Sequence, residues 1–305
     1  MRMSLKLVHT LNDKIDLYWD DQPLCTYVYI PQVSPIESPR PYFHPLRTLA
    51  GDVVTNFRPN DHRWHHGLSM TAAYLSDDNF WGGKTFVRGE GYVQLDNNGQ
   101  QRHINWDYVT CTDSAAQLRQ RISWVSYGGE AWIDETRSIS AAVRAKEGYW
   151  TLGVQMSLRN VRGEPLVFGS PATQGRPDGV GYGGLFWRGA RDLTRGLIMI
   201  ADGAESSTSD HAVLGHAGPW LAFVGAHDGV DRSSTLLFLD HPDNLRYPNQ
   251  WFARTESNVC VSFAFLYSDT YTLPANEALH LSYQIVIANG AWTRHQVEQF
   301  VAAQP

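Results

Sequence analysis

The chain has 305 residues, of which 43% are apolar and 18% charged, with a formal charge of −6 at pH 7. Those fractions are ordinary for a globular protein and exclude a disordered chain. The acidic balance gives no basic footprint for nucleic acid or an anionic membrane, and no stretch approaches the roughly 20 apolar residues that span a bilayer.

Strand signals dominate from the start. Leu5 and Leu7, then Ile15, Leu17 and Trp19, alternate apolar with polar, and Asn12-Asp13 predicts the turn between them. Residues 25–30 form a further short extended run. Pro31, Pro35, Pro39, Pro41 and Pro45 mark loop or sheet edge, because proline removes a ladder donor. They lead into the densest polar segment, 40–83. Residues 85–95 and 101–111, with a turn at Asn97-Asn98-Gly99, predict one hairpin. Residues 117–127 and 131–143, with a turn at Gly128-Gly129, predict a second, and 149–161 alternates cleanly. Residues 170–190 are glycine-rich and irregular, and 241–254 read as a polar loop. Apolar runs at 196–203, 220–229, 234–242, 258–267 and 280–290 are of strand length. Only the tail reads as a helix, with Thr293 as N-cap and Val297, Phe300 and Val301 on one face. Strands do not alternate with helices, so the fold class is all-β: one large antiparallel β-sandwich over residues 1–305 with a short C-terminal helix.

Cys25, Cys111 and Cys260 are odd in number and widely spaced. That fits buried free thiols in a reducing compartment, not a disulfide framework or a thiolate zinc site. The N-terminal segment has no apolar run long enough for a signal peptide, so a cytoplasmic location is expected.

Four segments carry the side chains that chemistry needs. In the first, His44 precedes Asn60-Asp61-His62-Arg63-Trp64-His65-His66-Gly67. Histidine titrates near neutral pH, which suits general acid–base work, and it is a common metal ligand. In an extended segment His62 and His66 share one face; if the chain turns near Trp64, His62 and His65 converge. The alternative is a set of hydrogen-bonded structural groups. The second segment places Ile133, Glu135, Arg137 and Ile139 on one strand face. A carboxylate and a guanidinium among apolar neighbours must be paired or face a cleft. Glu135 is therefore either an acid–base group held by Arg137 or half of a surface ion pair. In the third, glycines between Gly175 and Gly184 permit tight turns, and Tyr182, Trp187 and Arg188 are candidates to line a pocket. The fourth holds His241, Asn244, Arg246 and Trp251 in an unusually varied loop, which suggests ligand contacts.

These segments resemble a bacterial family of uncharacterised proteins that circulates under the label "methane oxygenase PmoA". The matching stretches are RPYFHPLRTLAGDVVT, NDHRWHHGLSM, NFWGG, YGGLFWRG and DHPDNLRYPNQWFAR, in that order from residue 40 to 254. A membrane monooxygenase subunit needs transmembrane helices, so the label does not fit this chain as a chemistry. The resemblance implies a setting in sugar catabolism, beside oxidoreductases that make keto-sugars. The run from Tyr271 to Ile287 also resembles the closing strands of galactose-mutarotase-like supersandwiches, although Ala275-Asn276 stands where that pattern has Gly. In mutarotases histidines and a glutamate flank the sugar ring, which makes His65, His66 and Glu135 the corresponding candidates.

The expectation is thus a carbohydrate-active enzyme of epimerase, lyase or hydrolase type. His62, His65, His66 and Glu135 would do acid–base chemistry on a small-molecule carbohydrate, with no cofactor. His44, Arg137, Tyr182, Trp187, Arg188, His241, Asn244, Arg246 and Trp251 would bind the substrate. Two alternatives stand beside it. One is a non-catalytic sugar-binding or sensing domain. The other is a metal-dependent sugar isomerase or lyase with a divalent ion on His44, His62, His65 or His66.

Overall fold

A computed structural model describes residues 4–256 and 258–304. Among these residues the strands form two large antiparallel sheets, one of eight strands and one of nine, with two small sheets beside them. The eight-stranded sheet runs, in spatial order, Leu5–Thr10, Lys14–Trp19, Gln22–Val28, Tyr42–Leu46, Leu68–Thr71, Gly184–Arg188, Cys260–Phe263 and Trp251–Arg254. The nine-stranded sheet has the long strands Ala278–Asn289, Tyr149–Asn160, Ala131–Arg144, Ala115–Val125 and Gln100–Cys111 along one side.

The alternation of Tyr149–Asn160 explains the layering. Trp150, Leu152, Val154, Met156 and Leu158 point one way and are buried. They meet Leu17, Tyr27, Met70, Trp187 and Phe263 from the other sheet in one apolar cluster. Face-to-face packing of two such sheets is a β-sandwich. The hairpin from Leu5 to Trp19 forms about the expected turn, with Asn12 at φ 59° in it. The hairpin joining Ala115–Val125 to Ala131–Arg144 forms as well.

The turn at Asn97-Asn98-Gly99 does not close a hairpin. Thr85–Val87 pairs instead with Gly91–Val93, while Asn97 and Gly99 exchange backbone hydrogen bonds with Asn79. Gly89 and Gly91 at φ 87° and 81° give the tighter turn. Two segments that read as loops also contain strands, Gly184–Arg188 and Trp251–Arg254. The helix, Arg294–Ala302, starts at Thr293 with a capping box completed by Gln296. Among the described residues no helix is long and apolar enough to cross a membrane. The three cysteines are free; Cys25 and Cys260 are buried, but Cys111 is exposed, contrary to expectation.

Candidate functional site

The four adjacent strands Leu68–Thr71, Gly184–Arg188, Cys260–Phe263 and Trp251–Arg254 have two covered faces. Leu185, Trp187, Val261, Phe263, Trp251 and Ala253 enter the sandwich core. Their neighbours Phe186, Cys260 and Phe252 point the other way, into a second apolar cluster with Trp81, Trp64 and Tyr182. That cluster floors a cavity of about 350 Å³ lined by His62, Trp64, His65, Trp81, Lys84, Tyr92, Arg176, Val180, Tyr182, Phe186, Phe252, Arg254, Asn258 and Cys260.

The histidine loop reaches the cavity through a tight turn. The His65 N–H donates to the His62 carbonyl at 3.0 Å, and Phe57 bridges to His66 across the loop. This turn stacks the imidazoles of His62 and His65, with centroids 4.8 Å apart and planes at 27°. His65 is buried, edge-on to Trp81 at 5.2 Å and 4.9 Å from Phe186. Its Nδ1 has no partner among the described residues. Burial, reinforced by Arg188 and His62, holds His65 well below its ordinary value, so it is neutral at pH 7. Burial lowers His62 as well, against Asp61, whose carboxylate lies 3.3 Å from His62 Nδ1.

Arg40 fixes the loops that carry the aromatic walls. Fully buried, it donates to the carbonyls of Trp64 at 2.6 Å, Trp81 at 3.0 Å, Ser38 at 2.9 Å and Glu37 at 3.1 Å, and to Ser69 Oγ at 3.0 Å. Asn79 Oδ1 accepts from the N–H groups of Trp81 and Gly82. Gly83, at φ 65°, lies so close to the Trp64 indole that a Cβ there would sit 2.6 Å from the ring. The Tyr182 ring packs on Trp81 at 4.3 Å, and its hydroxyl is 2.9 Å from that of Tyr92. Burial pushes the Cys260 thiol up to about 11, so it is no thiolate nucleophile at neutral pH.

Of the residues expected to form the site, the structure brings His62, His65 and Tyr182 to the cavity, with Arg188 beside it. Arg188 is buried, donates to Asn258 Oδ1 at 2.8 Å, and lines a neighbouring cavity of about 130 Å³ with Asp61 and Arg191. The other nine residues lie elsewhere. His66 points to the opposite side of its loop, with Nε2 at 3.2 Å from Glu37 Oε2. Burial takes His66 down to about 4. Glu37 is itself raised by burial, yet the hydrogen bonds from His66 and Arg58 outweigh that and hold it at about 2. His44 bonds Thr55 Oγ1 at 2.9 Å, and burial with Arg47 lowers it to about 4.

Glu135 and Arg137 form an ion pair, but inside the sandwich and not at a cleft or on the surface. Arg137 donates to Glu135 at 2.6 and 3.0 Å, to Tyr27 Oη at 3.3 Å and to Gln101 Oε1 at 3.2 Å, and Trp124 Nε1 donates to Glu135 at 2.7 Å. Trp187 and Trp251 are core residues, their indole N–H groups bonded to the carbonyls of Val54 and Gly218 at 3.0 Å each. Arg246 clamps the carbonyls of Phe265, Asp269 and Thr270. Asn244 ties Asp240 to both backbone groups of Ser282. His241 lines a different depression, on the nine-stranded sheet. Among the described residues no three His, Cys, Asp or Glu side chains are grouped so as to hold a metal ion.

Sequence reasoning passed over Trp64, Trp81, Lys84, Arg176, Phe252 and Arg254 as site residues. Period two at Phe252 and Arg254, opposite in phase to Trp251, was the available signal.

No curated protein matches the chain. Among solved structures, the GH36 α-galactosidase AgaA of Geobacillus stearothermophilus shares 10% identity over 97% of this chain and 42% of its own, with a TM-score of 0.40. The α-galactosidase of Lactobacillus brevis shares 9% over 98% of this chain and 41% of its own, with a TM-score of 0.38. A galactose mutarotase-like protein of Lactobacillus casei shares 10% over 93% of this chain and 99% of its own, with a TM-score of 0.32. This chain therefore spans about two-fifths of the length of the galactosidases. At such low scores the fold rests on the chain's own strands and the chemistry on its own cavity. Residues 14–302 match the family of unknown function DUF6807, and the chain belongs to that family.

Proposed function

We propose that the cavity binds a hydroxylated ligand of monosaccharide size, and that the His62–His65 pair moves a proton on it. The stacked pair set into an aromatic floor is the observation that carries this reading. Trp64, Trp81, Tyr182 and Phe252 offer flat apolar faces to the C–H face of a sugar ring, while His62, Asn258 and Tyr92 offer polar atoms. The volume lies within the roughly 300–1,000 Å³ of small-molecule sites. At neutral pH both imidazoles are held neutral, and like-charge repulsion at this separation lets the pair take up at most one added proton. His62, the less buried ring, takes that proton from the ligand; His65 stacks behind it and positions it.

The test is a melting-temperature screen of the protein against hexoses, keto-sugars, sugar acids and glycosides, followed by product analysis on any ligand found. A ligand at 100 times its Kd stabilises the fold by about 2.7 kcal/mol. His62→Ala is expected to cut turnover by about 10²-fold or more with melting little changed. No stabilisation by any sugar class would overturn the proposal.

A binding-only site is the second reading, favoured by the absence of any Asp or Glu among the residues lining the cavity. Saturable binding without product, weakened by Trp81→Ala more than by His62→Ala, would establish it.

A further inference from the structure

We infer that the ligand carries an acidic group, and that Lys84, Arg176 and Arg254 receive it. The inference rests on the sugar reading above and narrows it to a sugar acid or sugar phosphate, whose shared chemistry is an oxyanion on a hydroxylated ring or chain.

The charge around the cavity runs against the charge of the molecule. The protein carries a formal −6, yet the lining holds Lys84, Arg176 and Arg254 and no carboxylate. Asp61, which touches His62, lies outside the lining and also faces Arg191 at 3.7 Å. Among the described residues none of the three cations is ion-paired within the protein. Elsewhere arginines of this chain do find carboxylates: Arg58 meets Glu37, Arg137 meets Glu135 and Arg232 meets Asp52. Arg40, Arg188 and Arg246 also meet no carboxylate, but each donates to carbonyl or amide oxygens of the protein instead.

Their placement suits an oxyanion. The Arg176 guanidinium lies over the Tyr92 ring at 4.7 Å, and that of Arg254 over Phe252 at 5.1 Å. Stacking holds a guanidinium by its face and leaves its N–H edge for a carboxylate or phosphate. Arg254 Nε is buried and has no acceptor among the described residues. A buried donor without a partner is costly, and a bound oxyanion is the acceptor it lacks. The floor of Trp81, Phe186 and Phe252 is apolar and buried, and a low local dielectric strengthens the attraction between the cations and an entering anion. Lys84 is exposed at the mouth and approaches as a mobile point charge. The same field lowers His62, since Arg254 is among the cations acting on it. A bound anion would offset that field beside the proton-carrying ring.

The experiment is calorimetric titration of the whole chain with glucuronate, galacturonate, gluconate and glucose 6-phosphate, each set against glucose or galactose. Acetate and inorganic phosphate serve as anions without a sugar frame. One acid is expected to bind at least about tenfold tighter than its neutral counterpart, and the advantage should shrink between about 50 and 500 mM salt. The carboxylate and phosphate arms tell which oxyanion is preferred. Arg254→Gln and Lys84→Gln should each erode the acid-to-neutral ratio, whereas Arg254→Lys should retain the salt dependence. Should Arg254→Gln fail to fold, Lys84→Gln on an exposed side chain carries the same test. Equal affinity for acid and neutral sugars would overturn this inference and leave the sugar reading standing. Acetate or phosphate binding as tightly as the sugar acids would keep the cationic site and overturn the sugar frame. Binding of none of these probes would overturn both.

Discussion

Glu135 shows how pairing decides what a carboxylate can do. Its oxygens accept from Arg137 and from Trp124 within the core, and the residue is 1% exposed. Removing one member of a buried pair strands the other charge, at a cost of about 3–5 kcal/mol. Glu135→Gln should therefore lower the unfolding free energy read from urea titration by that amount while ligand affinity of the folded protein stays unchanged. Affinity lost at constant stability would instead return Glu135 to the functional site. His66 is engaged in the same manner, by Glu37 and the Arg63 carbonyl. His62 and His65 differ from it because their turn directs both rings into the cavity.

Strands set which side of the sheet each residue serves. Trp251 fills the sandwich core against Phe263 at 4.8 Å, while Phe252 faces Tyr182 at 5.6 Å across the cavity floor. Trp251→Ala should cost about 3–5 kcal/mol of stability, read by urea unfolding. Phe252→Ala should weaken ligand binding by about tenfold, read by titration. The reverse pattern would place Phe252 in the core and Trp251 at the cavity. Hairpins such as Leu5–Trp19 were legible in the sequence because their pairing is local and their turn chemistry explicit. Trp187 and Trp251 lie in segments that read as loops, and the strands formed there are apolar on both faces, so the sequence does not tell which face is core. Lys84, Arg176 and Arg254 come from three distant segments, and only the sheet topology brings them together. The His62–His65 approach was readable once a turn was granted, while the inward aim of Glu135 and Arg137 needed the second sheet.

At the scale of the whole molecule, buried histidines tie stability to pH. An unfolded chain protonates histidine near 6.5, but the fold delays this to about 4 for His44 and His66. Between those values the unfolded chain holds more protons, so stability falls as pH drops, by about 1.4 kcal/mol per pH unit for each ring. Glu37, held at about 2 against an ordinary 4.5, adds a further loss below pH 4.5. Urea midpoints should decline from about pH 7 to about pH 5; a flat profile would mean that these rings are protonated in the fold. Arg40 leads to a different kind of consequence. Four of its five hydrogen bonds end on main-chain oxygens, including those of Trp64 and Trp81. The anchorage ignores what side chains those two positions bear. Relatives that keep this arginine are free to exchange the indoles for other groups, and so to diverge in what they recognise without redesigning the frame. For the same reason, positions 64 and 81 are where a library for altered specificity should begin.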